Sequence, residues 1–310
     1  MNSKTKAVID IGTNTFHLLI AQVDEDKNIQ VIHKNTIAVK LGEGGVNKGF
    51  ITEAAYQRGI DALIQFRKEL NDNGIKDVFA TATAAVRDAS NGQEFIDMAL
   101  AKAEIKITLI DGLKEAEYIY YGAKAAQTLN ENVSLIMDIG GGSVEFIICT
   151  ENEIFWKNSF RLGAARLLAD YYLTDDSITN ESLTEIEYHF SQQLNSLFEA
   201  IKQHQPKKLI GTAGSFDSYA SMIALKTQTI FDPQKMSSYD FNHKDFEELI
   251  SKIIKSTHQE RVNMEGLIPL RVDMILMASI LTRYIIENGN IQEVTTCTYS
   301  LKEGLLLSQN

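Results

Sequence analysis

At 310 residues and 44% hydrophobic composition the chain is long enough for about two average domains, each with its own core. A net charge of −11 argues against a broad nucleic-acid surface, although it leaves room for a small polyanion in a cleft lined by cations. No uninterrupted apolar run approaches a membrane span and no basic, then apolar, leader opens the chain, so the reading is a soluble, unprocessed, cytoplasmic protein without a membrane partner.

Taken in order, the chain begins with strands near 6–12, 16–23 and 29–39, then a glycine-rich loop, Leu41-Gly-Glu-Gly-Gly-Val-Asn-Lys-Gly49. A helix capped by Thr52 follows, with Tyr56, Ile60, Leu63, Ile64 and Leu70 at helical spacing and Gly74 at its end. Next come a strand at 76–82, a helix from about Gly92 to Glu104, a strand at 105–111 and a helix over about 114–129. The short, closely connected first strands predict an antiparallel meander, and the helix-linked ones predict parallel neighbours.

The order then repeats: strands near 133–139, 143–150 and 153–160, a helix from about Gly163, a long helix over about 181–204 stopped by Pro206, and a strand from Lys207 to Gly211. Further helices are expected near 215–227, 243–257 and 272–288, then a strand near 293–299 and a last helix from about Ser300.

The repetition extends to motifs. Leu135-Ile-Met-Asp-Ile-Gly-Gly-Gly-Ser-Val-Glu-Phe146 reads as strand, acid, glycine turn and returning strand, and Lys6-Ala-Val-Ile-Asp-Ile-Gly-Thr-Asn-Thr-Phe-His-Leu-Leu-Ile20 reads the same way 128 residues earlier. Thr81-Ala-Thr-Ala84 echoes Gly211-Thr-Ala-Gly214 at an offset of 130, and Leu113-Lys-Glu-Ala116 echoes Leu301-Lys-Glu-Gly304 at 188. The chain therefore reads as a duplicated α/β domain over 1–125 and 126–310, the second copy carrying about 58 extra residues as a helical insertion at about 216–292. The helix at about 300–310 is free to pack back on the first copy.

The chemistry lies in the turns. Gly140, Gly141 and Gly142, with Ser143, let the backbone approach an anion and aim several N–H groups at it, although a tight hairpin uses glycines for turn geometry as well. Gly12, Thr13 and Asn14 beside Asp10 offer N–H, hydroxyl and amide donors, or else an ordinary Asn/Gly turn. Asp138 and Glu145, seven positions apart across the turn, offer two carboxylates for a Mg²⁺ ion or another divalent cation if their faces converge. Arg87, after a strand and a small-residue run, offers a guanidinium fork for phosphate oxygens. Arg161 and Arg166 either extend that cationic track or are solvated or ion-paired. His17, among Phe16, Leu18 and Leu19, reads as a packed structural histidine, and Arg271 with Asp273 as a local ion pair. Cys149 and Cys297 read as two buried thiols rather than a disulfide or metal pair.

Across nearly its whole length the chain resembles the exopolyphosphatase and guanosine-pentaphosphatase (Ppx/GppA) family of the actin-like, sugar-kinase and heat-shock-chaperone ATPase superfamily. The resemblance is carried by both hairpins, the Leu-Gly-Glu-Gly loop, Thr81-Ala-Thr-Ala-Ala-Val-Arg87, Glu115-Ala, Phe160-Arg-Leu-Gly163, Gly211-Thr-Ala-Gly-Ser215 and Leu301-Lys-Glu-Gly304. It implies duplicated ribonuclease-H-like domains around a cleft, and hydrolysis of inorganic polyphosphate, with guanosine pentaphosphate as a second substrate. It also implies Glu115 as the residue that orients and deprotonates water, though a carboxylate at a helix start has a structural explanation too. Glu145 joins the catalytic set, and Asp10, Gly214 and the turn residues join the substrate site. Lys40 and Glu117 stand where the family usually has arginines, which bears on affinity. A kinase or ATPase of the superfamily and a non-catalytic nucleotide sensor are the rival readings, and a homodimer stays open.

Overall fold

The structure, a computed structural model, describes residues 4–171 and 177–309. The first half contains β1 (Lys4–Ile11), β2 (Thr15–Val23), β3 (Ile29–Ala38), α1 (Glu53–Asp72), β4 (Phe79–Ala82), α2 (Ala84–Arg87), α3 (Gly92–Ala103), β5 (Ile107–Leu109) and α4 (Gly112–Ala125). The second contains β6 (Ser134–Ile139), β7 (Val144–Cys149), β8 (Ile154–Phe160), α5 (Ala164–Asp170), α6 (Asn180–Gln193), α7 (Asn195–His204), β9 (Lys208–Thr212), α8 (Ala213–Thr227), β10 (Ser238–Asp240), α9 (His243–Lys255), α10 (His258–Val262), α11 (Ile275–Gly289), β11 (Glu293–Cys297) and α12 (Leu301–Ser308).

The expected meander forms twice. β1, β2 and β3 pair antiparallel and β4 and β5 add in parallel, giving the order β3-β2-β1-β4-β5. The second sheet repeats that order as β8-β7-β6-β9-β11 and gains β10, antiparallel at its edge. The inner strands of both sheets are covered on both faces, as their apolar sequences require. On β6, Leu135, Met137 and Ile139 enter the core under the second copy's helices, whereas Ile136 enters a different one. That other core lies between the sheets and draws Val8 and Leu19 from the first copy, Ile147 and Ile210 from the second, and Leu301, Leu305 and Leu306 from α12. There α12 and α4 pack so closely that a Cβ on Gly304 would lie 1.8 Å from the Tyr118 carbonyl oxygen.

The long helix expected over 181–204 is two helices, broken at Leu194 (φ −100°, ψ 14°). Asn195 and Ser196 are weak helix-interior residues that favour a helix start. The apolar stripe Ile186, Phe190, Leu197 and Ile201 stays buried across the break, so periodicity alone reads straight through it. The helix expected near 272 begins at Ile275, after a 3₁₀ turn over Pro269–Arg271, and this changes where Arg271 points.

Candidate functional site

A cavity of about 150 Å³ opens between the two copies, lined by Asp10, Gly12, Thr13 and Asn14 from the first hairpin and by Asp138 and Gly140 to Ser143 from the second. Glu115 and Gly214 also line it. The hairpins meet directly: a Cβ on Gly142 would lie 2.6 Å from Thr13 Oγ1 and 2.8 Å from the Ala84 Cβ. One use of the glycine is therefore to let the two turns approach. The Gly140 and Gly141 carbonyls accept from Ala164 N–H (2.9 Å) and Ala165 N–H (3.0 Å) at the start of α5, and the Thr13 carbonyl accepts from Gly42 N–H (2.9 Å). In a trans peptide the N–H points opposite to the C=O, so the N–H groups of Gly141, Gly142 and Asn14 are directed away from those partners.

Antiparallel register answers the question of faces. Asp138 pairs with Glu145 across β6 and β7, and Asp10 with His17 across β1 and β2, so each pair shares a face. Asp138 Oδ2 accepts from Thr212 Oγ1 at 2.5 Å and also from Ser300 Oγ. Glu145 is fully buried, stands behind the lining, and its Oε1 accepts from Ser159 Oγ at 2.6 Å. Arg87 likewise stands behind the lining: its Nη1 donates to the Ile110 carbonyl (2.9 Å) and lies 3.6 Å from Glu115 Oε2. Glu115 is 7% exposed, and neither its Oε2 nor Asp10 Oδ1 has a hydrogen-bond partner.

These acids are held partly against ionisation. Burial raises all of their pKa values: Asp10 to about 7, Asp138 above its ordinary value, and Glu115 and Glu145 further up because each stands in a field of other carboxylates. Arg87 opposes the shift at Glu115. Asp10, Glu115 and Asp138 line the cavity and Glu145 stands directly behind it, so the shifted carboxylates are gathered at one place between the lobes.

Several lining residues were misread or unremarked in the sequence. Arg271 does not pair with Asp273, which binds His258 at 3.0 Å. It turns inward to line the cavity, its guanidinium over Gly214, where a Cβ would lie 1.8 Å from Nη2. Asp217 and Lys302 line the cavity as well. His17 is held through both ring nitrogens, to Thr15 Oγ1 and Thr36 Oγ1 at 2.9 Å each, but it too faces the cavity. Burial lowers its pKa well below the ordinary value, so it is a neutral imidazole. Arg166 is not part of an open cationic track, because it is 6% exposed and bound to acceptors in both copies, and Arg161 pairs with Asp88 at 3.3 Å. Glu117 pairs with Lys114 (2.9 Å) and Lys157 (3.2 Å), and neither it nor Lys40 lines the cavity. Cys149 and Cys297 are buried and unpaired.

Two repeated α/β lobes whose glycine hairpins face each other across an acid-lined cavity define the duplicated, actin-like ATPase architecture. The sequence model of the Ppx/GppA phosphatase family matches residues 19–310, and the chain belongs to that family. It is 26% identical over 307 residues to a putative exopolyphosphatase of Haemophilus influenzae, covering 99% of this chain and 92% of that one. It is 30% identical over 296 residues to a bifunctional 3-dehydroquinate synthase/phosphatase of Fusobacterium nucleatum, covering 92% of this chain but only 44% of that one. Among solved structures, an exopolyphosphatase from Cytophaga hutchinsonii is 39% identical and superposes with a TM-score of 0.94 over 98% of this chain and 97% of that one. The Aquifex aeolicus family member, 22% identical with a TM-score of 0.80 over 99% and 98%, shares the fold.

Among the described residues no helix is long and apolar enough to cross a membrane, and no cluster of three or more His, Cys, Asp or Glu is placed to hold a metal. A two-carboxylate set is a different matter. Asp138 and Glu145 share a face and Asp138 lines the cavity, which suits a hard cation held by one or two carboxylates together with substrate oxygens.

Proposed function

We propose that the chain is an exopolyphosphatase that removes orthophosphate from the end of inorganic polyphosphate. The observation that carries this reading is Glu115: a buried carboxylate at the start of α4, its Oε2 free of hydrogen bonds and 3.6 Å from Arg87 Nη1, in the same small cavity as two donor-rich hairpins. Its place suits a base that orients a water molecule toward a terminal phosphorus held by the N–H groups of Asn14, Gly141 and Gly142.

The water oxygen bonds to the terminal phosphorus, its proton passes to Glu115, and the bond from phosphorus to the bridging oxygen breaks, leaving the shortened chain as an anion. Arg87 opposes the rise in the Glu115 pKa and so favours its ionised, proton-accepting form. Thr13 and Ser143 hydroxyls supply further donors to the phosphoryl oxygens. Asp138 and Glu145 are the residues that would hold Mg²⁺, whose charge would draw electron density from the terminal phosphoryl group. Gly214 lets the Arg271 guanidinium lie against the backbone, where it faces the more distant phosphates. A relative from Aeromonas salmonicida, 25% identical over 98% of this chain, is named guanosine-5'-triphosphate,3'-diphosphate pyrophosphatase, so guanosine pentaphosphate is the second substrate to assay. The two reduced, buried cysteines suit work in the cytoplasm.

Purified protein given polyphosphate and Mg²⁺ is expected to release orthophosphate without an added acceptor, to stop in EDTA, and to turn over ATP poorly. Glu115→Gln is expected to lose about 10²–10⁴ in rate with near-normal binding. A requirement for an acceptor hydroxyl, or equal turnover of ATP, would replace this reading with that of a kinase or ATPase.

A further inference from the structure

The repeated motif Leu-Lys-Glu is used in opposite ways by its two copies. In α4, Glu115 lines the cavity while Lys114 turns outward to Glu117 (2.9 Å) and to the ring of Tyr118 (4.7 Å). In α12, Lys302 lines the cavity instead, and Glu303 folds back to cap its own helix, accepting from Ser300 N–H at 2.9 Å. The duplication has thus placed a carboxylate on one part of the wall and an ammonium on another.

The position is a costly one for a lysine. Lys302 is the second residue of α12, where the partial positive charge of the helix start opposes a cation, and its side chain is only 24% exposed. Among the described residues its one ion pair is to Glu303 Oε1 at 3.2 Å, which engages one of the three N–H donors of an ammonium. Burial works against its charge, but Glu303, Asp217 and Asp10 outweigh burial and leave its pKa above the ordinary lysine value. A charged group kept against two penalties, with unused donors beside a cavity, fits the binding of an anion. Asp10, Asp138 and Asp217 on the same walls oppose such an anion where they are ionised and His17 is neutral, so among the lining side chains Arg271 and Lys302 are the cations that draw it in.

We propose that Lys302 is a substrate-binding residue, its free N–H donors holding a non-bridging oxygen of the phosphate chain on the side of the cavity nearest Asp10 and Asp217. The assignment rests on the phosphate-chain reading of the cavity. Lys302 differs from Arg271 in kind: a point charge on a flexible stem follows an oxygen, whereas a guanidinium packed on Gly214 presents a fixed fork.

The test is calorimetric titration of inorganic tripolyphosphate into protein carrying Glu115→Gln, with and without a change at Lys302. Lys302→Met and Lys302→Gln are expected to weaken binding by about 10–100-fold and to flatten its salt dependence, with Lys302→Arg retaining most of the affinity. With Glu115 intact, KM is expected to rise by a similar factor. Unchanged affinity in both neutral variants overturns the proposal. So does loss of folding in both, since that would make Lys302 a structural strut. If the Glu115→Gln protein with Lys302 intact does not bind tripolyphosphate, the phosphate-chain reading itself fails, and this assignment fails with it.

Discussion

Asp10 illustrates how a single residue trades stability for a charged cavity. Its pKa, raised from 3.8 to about 7 by burial, means that the native state binds more protons than the unfolded chain between those two values. Stability therefore falls as pH rises through that window, and the deficit is complete above about pH 7. Asp10→Asn removes the charge while keeping the shape, so it is expected to raise the melting temperature by about 2–5 °C at pH 8 and to change little at pH 4. Thermal melts followed by circular dichroism at the two pH values check this, and a lower melting temperature at pH 8 would mean that the Asp10 anion is held by partners such as Lys302. The same scale shows what could be read from the residues alone. Asp10 and Asp138 stood out because one hairpin occurs twice. Arg271, Asp217 and Lys302 did not, because their inward direction is set by contacts between residues far apart in sequence. The Lys302-Glu303 pair was visible as an echo of Lys114-Glu115, but no sequence pattern says which member faces inward.

Elements were legible where an apolar run or a helical period stands between turn residues. The two meanders follow from short apolar runs joined by tight turns and α1 from helical spacing, and the faces shared by Asp138 and Glu145 follow from the strand register once the turn length is known. β10 escaped notice because Ser238, Tyr239 and Asp240 form no apolar run, and only pairing with β11 makes them a strand. The contact of α4 with α12 is a tertiary fact of the same kind, and it depends on a hydrogen atom where any other residue has a carbon. Gly304→Ala would drive a Cβ into the Tyr118 carbonyl, and a backbone atom at 1.8 Å cannot rotate aside as a side chain can. Overpacking of this sort costs about 1–3 kcal/mol, which corresponds to a fall in melting temperature of several degrees. Phosphate release should fall as well, since Glu115 and Lys302 stand on these two helices. A variant that melts with wild type would show that the helices separate without cost.

For the whole molecule, the relevant object is Arg166, which ties one lobe to the other. From α5 in the second lobe its Nη1 donates to the Val46 carbonyl and to Asn47 Oδ1, both at 2.9 Å, in the glycine-rich loop of the first. Its Nε donates to the Gly142 carbonyl at 3.1 Å and its Nη2 lies 3.2 Å from Asp88 Oδ2. Asp88 in turn lies 3.6 Å from Arg87 Nε, and Arg87 lies 3.6 Å from Glu115. The clasp between the lobes is thus continuous with the glycine turn and with the cation that opposes the rise in the Glu115 pKa. Arg166→Ala leaves buried carbonyls without donors and frees Asp88 to draw Arg87 away from Glu115. The expected result is a fall in kcat of about 10–100-fold that exceeds any change in KM, with the acid limb of the pH–rate profile moving to higher pH because Glu115 loses part of its opposing charge. Arg166→Lys, which keeps the charge but not the fork, should recover only part of the rate. X-ray scattering should report a larger radius of gyration for the alanine variant if the clasp holds the lobes together. If kcat and the acid limb both stay where they are in wild type, Arg166 is only packing between the lobes, and the link from closure to Glu115 is absent.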